Sequence, residues 1–379
     1  MIKQILNIVP TISQEADGVA NFVTDYSYSM RALHINVEVA ALKWNDSNIM
    51  VQDARLFNIS LGLYKLGLSF PMKKWIKKIN NKSEFQLIHS HGLWMIPGII
   101  VAKPRHRRSY LLMISPHGSL SKEALSTGSI FKKPFWFLFQ KRALKRCDCF
   151  HATSAAEVVD IQNLNLGRPI CLIPPGVKIP RLPKRINRSR KTLLYLARIH
   201  PIKGLGILLE AWKKIEEDFK DWDLVIAGTD CEGYLFEMQS LASQLKLNNV
   251  NFLGPVYGQE KEKLYTDSDL YILPTYSENF GITIAEALSF GTPVITTRNT
   301  PWSNLVSKGA GWYIDATVDS IVVCLQEALP VDNKKLIEMG ISGRKWMIED
   351  FSWKKTSEKF LTTYDWLHGS GNAPTWIIK

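Results

Sequence analysis

The chain has 379 residues, 46% of them hydrophobic and 22% charged, and carries a formal net charge of +12. That composition belongs to globular proteins with a large core, and the length suits two domains better than one. No apolar run reaches the roughly 18–20 residues that span a bilayer. The five scattered cysteines (Cys147, Cys149, Cys171, Cys231 and Cys324) form no CxxC pair, so neither a disulfide framework nor a zinc site is expected.

The first stretch, MIKQILNIVPTISQEADG, is expected to be a buried strand entering a loop rather than a signal peptide, in a protein of a reducing compartment. Further apolar runs follow in chain order: INVEVAAL, FQLIHSH, YLLMIS, CFHATS and ICLIPP, then TLLYLA, DLVIAG, NVNFLG, DLYILP and PVITT. Many are continuous Val, Ile and Leu rather than polar–apolar alternations, the pattern of strands buried on both faces of a parallel sheet. The CDC pair at 147–149 is expected to alternate faces of its strand. Amphipathic helical patterns such as GLGILLEAWKKIEEDF and GYLFEMQSLASQL lie between the runs. The sum is an α/β chain of βαβ units. Residues 178–191, KIPRLPKRINRSRK, are charged, Pro-containing and poor in apolar residues, which places a linker near residue 185.

In open parallel sheets, ligands sit beyond the carboxyl ends of strands, where helix N-termini present free N–H groups. Three segments have this strand–polar loop–helix form. In DLYILPTYSENFGITIAEALSFGTPVITT, Glu278 lies in the loop and Glu286 in the following helix. At 1.5 Å per residue, Glu286 falls roughly 7–8 Å along the axis from the helix start. A loop carboxylate, free N–H groups and a helix carboxylate can then face one elongated ligand, such as a diphosphate flanked by two sugars. Elsewhere, such a pair is simply a good helix former and a carboxylate favoured by the macrodipole. In TLLYLARIHPIKGLGILLEAW, Arg198 and Lys203 stand beside a helix N-terminus, suited to a diphosphate. In ILNIVPTISQEADGVANFV, Gly18 lets the backbone approach a ligand at a helix start, although a turn glycine needs no ligand.

With these residues in place, the chain resembles the retaining GT-B glycosyltransferases of family four, the "glycosyltransferase group 1" proteins. SENFGITIAEALSFGTPVITT is similar to the family's E-x7-E signature and ARIHPIKG to its R-x4-K phosphate element. GPVYGQEKEKLYTDSDLYILP resembles the segment usually found between those two. IHSHGLW, ISPHGSLSKEAL and NTPWSNLVSKGAGWYI resemble a subgroup that makes bacterial surface polysaccharides. The likeness runs to about residue 367.

The resemblance implies a GT-B fold of two Rossmann-like domains facing across a cleft. Residues 1–185 would be the acceptor domain and 186–355 the nucleotide-sugar domain, with 356–379 a helix and tail packing back on the first. It implies that Glu278 contacts donor-sugar hydroxyls, with the backbone of Asn279, Phe280 and Gly281 holding sugar and phosphate. Glu286 would bind the ribose, and Arg198 and Lys203 would neutralise the diphosphate. Gly18 would close against that diphosphate, and His117 would hydrogen-bond the sugar near the reacting carbon. Two departures stand out: Asp17–Gly18 where the family often has Gly-Gly, and Pro175 in IPPGV where it commonly has IPNGV. No cofactor is implied beyond the UDP- or GDP-sugar as co-substrate, and the charge logic needs no metal. The D-x-D of TDSDL (266–270) leads into a strand and is expected to be structural.

Residues 1–190 hold 28 of the 47 Lys and Arg but only 11 of the 35 Asp and Glu, a net +17 against −5 in the remainder. FPMKKWIKKINNK (70–82), KPRHRR (103–108) and FKKPFWFLFQKRALKR (131–146) mix these cations with Trp and Phe. Such stretches can lie on an anionic membrane surface. No nucleic-acid module accompanies the charge. The subgroup's acceptor, a saccharide or polyprenyl-diphosphate-linked saccharide, would put the protein in the cytoplasm, peripheral on the inner face of the cytoplasmic membrane, in lipopolysaccharide O-antigen or capsule synthesis. Two other classes compete: a sugar-nucleotide 2-epimerase of the same fold, and a non-catalytic membrane- or polysaccharide-binding protein.

Overall fold

The computed structural model describes residues 2–13, 18–44, 49–60, 66–121, 124–125, 133–182 and 189–379. Two compact units result: Met1–Gly176 together with Trp353–Lys379, and Val177–Ser352. The chain crosses between them at 176/177 and 352/353, against the expected 185 and 355. The reason is apolar: Val177 and Ile179 already pack on the second unit's core. Residues 183–188 of the expected linker lie outside the described residues.

In the first unit, the apolar runs form β1 (Gln4–Val9), β2 (Asn36–Lys43), β4 (Leu87–His91), β5 (Leu111–Ser115), β6 (Cys149–Ala152) and β7 (Ile170–Leu172), and an unexpected short strand, β3 (Arg55–Asn58), joins them. They pair in parallel in the order β7-β6-β5-β4-β1-β2-β3. The C-terminal tail adds β14 (Ile377–Ile378), antiparallel to β7. Helices α1 (Gly18–Ala32), α2 (Phe70–Lys82), α3 (Ile96–Val101), α4 (Lys141–Leu144) and α5 (Ala155–Gln162) are interleaved with the strands.

Side-chain alternation sorts this sheet into two packed layers. Ile5 and Val9 of β1 join Tyr26 of α1 and Phe360 in one layer, while Leu6 and Ile8 join Met72 and Ile76 of α2 in the other. Cys147 and Cys149 fall into opposite layers. Two residues apart on one strand they would share a face, and they do not because Cys147 lies before β6 (Cys149–Ala152) begins.

The second unit is built from β8 (Lys191–Leu196), β9 (Trp222–Ala227), β10 (Val250–Gly254), β11 (Leu270–Leu273), β12 (Val294–Thr297) and β13 (Gly311–Ile314). All pair in parallel, in the order β10-β9-β8-β11-β12-β13. Between and after them run α6 (Leu205–Ile215), α7 (Tyr234–Gln244), α8 (Gly258–Asp267), α9 (Ile282–Ser289), α10 (Val318–Ala328) and α11 (Asn333–Trp346). A last helix, α12 (Trp353–Leu367), belongs to the first unit and packs on α1, where Tyr26 and Tyr364 hydroxyls meet at 2.6 Å. No helix of the described residues is long and apolar enough to cross a membrane.

One close approach ties the end of β8 to that of β11. Gly204 sits at φ +72, and a Cβ there would lie 2.0 Å from the Pro274 carbonyl oxygen. Only glycine allows both the backbone angle and the contact. Gly204→Ala is therefore expected to lower stability by about 3 kcal/mol or more, read as a drop in the urea midpoint. An unchanged midpoint would contradict the packing.

Candidate functional site

Strand order reverses between β8 and β11 in the second unit, which makes the carboxyl ends of those strands its topological switch point. The sequence puts its charged candidates there. After β8 the chain turns through Arg198, which is exposed, and a 3₁₀ turn (Pro201–Lys203) capped by the His200 ring, whose Nδ1 accepts from the Ile202 N–H. The Ile202 carbonyl then accepts from the Tyr276 N–H (2.8 Å) and the Thr275 hydroxyl (3.0 Å), stitching this loop to the one after β11. The result is that Lys203 Nζ meets Glu278 Oε2 at 2.5 Å, with both side chains largely buried.

Gly281 caps α9 at φ +80; a Cβ there would press on Glu278 Cγ and Ile284 Cδ1. The first N–H groups of α9 therefore open beside Glu278 rather than being screened by a side chain. Glu286 lies one turn into α9. Its carboxylate accepts from Lys261 Nζ (2.8 Å) and the Tyr265 hydroxyl (2.7 Å), both on α8.

Lys261 and Tyr265 escaped the sequence reading. Their i, i+4 spacing on one helix face was the available signal. The Phe280 ring is buried against Trp302 and Phe351, which leaves its backbone for a ligand, and its carbonyl accepts from Trp302 Nε1. Asn279 is half-buried in the same loop. Asp269 of the D-x-D accepts from the Thr192 N–H, at the opposite, amino ends of β8 and β11.

The first unit reverses its strand order between β1 and β4. Gly18 opens α1 with nothing within 4 Å of where its Cβ would be, and Asp17 lies outside the described residues. His117 follows β5 in a left-handed turn, at φ 52, with Gly118 at φ 76. A buried carboxylate holds that turn: Glu157 Oε1 accepts from the Gly118 N–H at 2.6 Å, and its Oε2 from the Thr153 N–H and hydroxyl, both at 2.8 Å.

Around His117 the sheet presents three more histidines, His89 and His91 from β4 and His151 from β6. Phe22 of α1 packs against His91, His117 and His151. His91 Nδ1 lies 3.1 Å from His117 Nε2. Ser115 Oγ bridges His89 Nε2 and His151 Nδ1, at 2.6 Å each. Among these rings the charged form is disfavoured. Burial first, then the neighbouring His151, pushes His117 down to about 3. Burial pushes His151 down to about 4, against the opposing pull of the Ile173 carbonyl. His89 and His91 are lowered for the same first reason, then by the other histidines. The cluster is neutral at pH 7.

Two family descriptions cover these features. "Glycosyltransferase Family 4" matches residues 16–181, and "Glycosyl transferases group 1" matches residues 180–346. The chain belongs to the family 4 glycosyltransferases. Its fold is that of the GT-B members of known structure. Sucrose-phosphate synthase from Thermosynechococcus elongatus superimposes with a TM-score of 0.75 at 18% identity, over 97% of this chain and 99% of that one. Anabaena Alr3699/HepE in complex with UDP and glucose does so with a TM-score of 0.75 at 18% identity, over 96% and 99%.

Among family 4 sequences, the phosphatidyl-myo-inositol mannosyltransferase of Mycobacterium leprae is 27% identical over 214 residues, 55% of this chain and 56% of that protein. The D-inositol 3-phosphate glycosyltransferase of an Arthrobacter species is 29% identical over 224 residues, 55% and 53% of the two. The chain thus spans about half the length of each of these relatives in the match.

The neutral cluster has a consequence for stability. An unfolded histidine titrates near 6.5, so below that pH the unfolded chain binds protons that folded His151 refuses until about pH 4. Stability is therefore complete above pH 6.5 and lost as pH falls toward 4. At pH 5 the loss from His151 alone is about 2 kcal/mol. Urea midpoints at pH 7 and pH 5 are expected to show this drop, and His151→Gln to flatten it. Equal midpoints in the unsubstituted chain would contradict a neutral cluster.

Proposed function

We propose that the chain transfers a hexose-type sugar, with retention and without a metal, from a UDP- or GDP-sugar to a saccharide acceptor. The observation that carries this reading is the set Lys203–Glu278–Gly281–Glu286 at the switch point of β8 and β11: cation, carboxylate, helix N-terminus and second carboxylate in series. With a nucleotide sugar bound, the diphosphate draws Lys203 and Arg198. Glu278 then exchanges the Lys203 ammonium for sugar hydroxyls, and Glu286, oriented by Lys261 and Tyr265, takes the ribose. The α9 N–H groups and the backbone of Asn279, Phe280 and Gly281 receive sugar and phosphate oxygens. Gly18 leaves room for the diphosphate, and His117 binds the sugar as a neutral ring.

Breaking the bond between the anomeric carbon and the phosphate oxygen leaves positive charge on the sugar and negative charge on the diphosphate. Arg198, Lys203 and the helix dipole stabilise the latter. The acceptor hydroxyl attacks from the same face, its oxygen bonds to the anomeric carbon, and its proton passes to the departing phosphate.

The acceptor is proposed to be lipid-linked, met at the inner face of the cytoplasmic membrane during synthesis of a surface polysaccharide such as O-antigen or capsule. The relatives named for phosphatidyl-myo-inositol and inositol 3-phosphate widen that acceptor class to inositol-bearing molecules. On the first unit, α2 turns Lys73, Lys74, Lys77 and Lys78 outward while burying Met72, Ile76 and Ile79. Phe137, Leu138 and Phe139 are exposed beside Arg142 and Lys145. Arg108 is no part of this surface: its guanidinium is buried and paired with Asp148 at 2.7 and 2.9 Å. Phe131 and Lys132 lie outside the described residues.

Glu286→Ala is expected to lower kcat/KM for sugar transfer by about 100-fold or more, with stability changed by no more than about 1 kcal/mol, since the ion pair with Lys261 is partly exposed. Unchanged transfer would remove the site assignment. Sedimentation with phosphatidylglycerol vesicles is expected to carry the protein down at low salt, less so at high salt or with Phe137→Ser and Phe139→Ser. Equal recovery with purely zwitterionic vesicles would contradict the anionic-surface reading.

A further inference from the structure

The proton positions around His117 follow from one fixed donor. The Ser27 hydroxyl lies 2.6 Å from the Val23 carbonyl, which can only accept, so the Ser27 proton is committed there. Ser27 Oγ must then accept from Asn7, which fixes the Asn7 amide with its NH₂ toward Ser27 (3.1 Å) and its Oδ1 toward His91 (3.2 Å). Facing a carbonyl oxygen, His91 Nε2 carries a hydrogen. A neutral His91 therefore has a bare Nδ1, and His117 Nε2, 3.1 Å away, must be the donor. The His117 ring is thereby left with a lone pair on Nδ1, which has no hydrogen-bond partner among the described residues.

We propose that Asn7 and His91 are positioning residues that hold His117 as the Nε2–H tautomer, presenting its Nδ1 as an acceptor for a ligand hydroxyl. The inference rests on the transfer reading above for the identity of that ligand, a sugar. A bare imidazole nitrogen takes an O–H and repels a phosphate or carboxylate oxygen. It thus selects the hydroxyl-bearing part of a nucleotide sugar and leaves the diphosphate to cations elsewhere.

Among the described residues no carboxylate favours a charged His91, which is buried and opposed by the neighbouring histidines, and this keeps the relay in this sense. Its surroundings are His89, His117, Phe22 and Tyr26. A doubly protonated His91 would donate through both nitrogens and force the opposite tautomer on His117. The turn that carries His117 is fixed separately by Glu157 on the Gly118 N–H, so the relay sets the proton while Glu157 sets the backbone.

Two-bond ¹H–¹⁵N correlation on the full chain labelled with ¹⁵N-histidine reads each ring's tautomer at pH 7, with His117→Gln assigning the ring. The expected result is His117 protonated at Nε2 and bare at Nδ1. In Asn7→Leu the His117 ring is expected to become a mixture of tautomers, with kcat for transfer down about 10-fold and KM for the nucleotide sugar changed less than about 3-fold. An Nδ1–H or doubly protonated His117 in the unsubstituted chain would overturn the proposal. So would an Asn7→Leu protein whose tautomer and kcat are both unaltered. The ring signals need neither donor nor acceptor, so they decide the relay whatever the transfer assay gives. Absence of transfer by the unsubstituted chain would count against the function reading alone.

Discussion

The ion pair between Lys203 and Glu278 is the contact on which the second unit's site depends. It joins the loop after β8 to the loop after β11, two strands adjacent in the sheet but far apart in sequence. It forms only because Gly204 lets the first loop fold onto the Pro274 carbonyl and because Ile202 shares its own carbonyl with Thr275 and Tyr276. Two opposite charges that are mostly withdrawn from water hold each other in a fixed orientation. A ligand that offers both an anion and hydroxyls can satisfy each partner in turn.

The first unit solves a different problem. Four histidines meet near the carboxyl ends of β4, β5 and β6, among the described residues with no carboxylate to hold them charged, and aromatic rings from α1 and α12 close over them. Apart from His117 Nδ1, their ring nitrogens are linked in chains, one through Ser27, Asn7 and His91 to His117. The other runs from Tyr26 and Tyr364 through His89 and Ser115 to His151 and the Ile173 carbonyl. Such chains fix tautomers, and the second one binds the C-terminal helix α12 to the sheet. That helix is thus part of the first unit's polar core as well as a brace against its surface.

Much of this was legible in the sequence because parallel sheets write themselves as Val, Ile and Leu runs. The expected strands from ILNIVP to PVITT correspond to β1, β2 and β4 to β12. The missed ones had no such mark. RLFN of β3 and GWYI of β13 are short and lie at sheet edges, and β14 is two residues pinned by antiparallel pairing to β7. Among the candidate residues, Arg198, Lys203 and Glu278 stand out in the sequence because they lie between a strand and a helix, and Glu286 because it lies one turn into the helix that follows. Lys261 and Tyr265 showed only an i, i+4 spacing, and their contact with Glu286 depends on how α8 packs beside α9. Asn7 and His91 looked like interior strand residues, and nothing in ILNIV or LIHSH says that their side chains lie on the same face as His117. Arg108 read as one more surface cation until Asp148, 40 residues on, was found beside it.

The central claim is that the second unit binds a nucleoside diphosphate through side chains and helix N–H groups alone. Calorimetric titration of UDP and of GDP, each with excess EDTA, tests it most directly. Tight binding of one of the two is the predicted result and would name the donor's base. Binding of neither, or binding only after Mg²⁺ or Mn²⁺ is restored, would contradict the account.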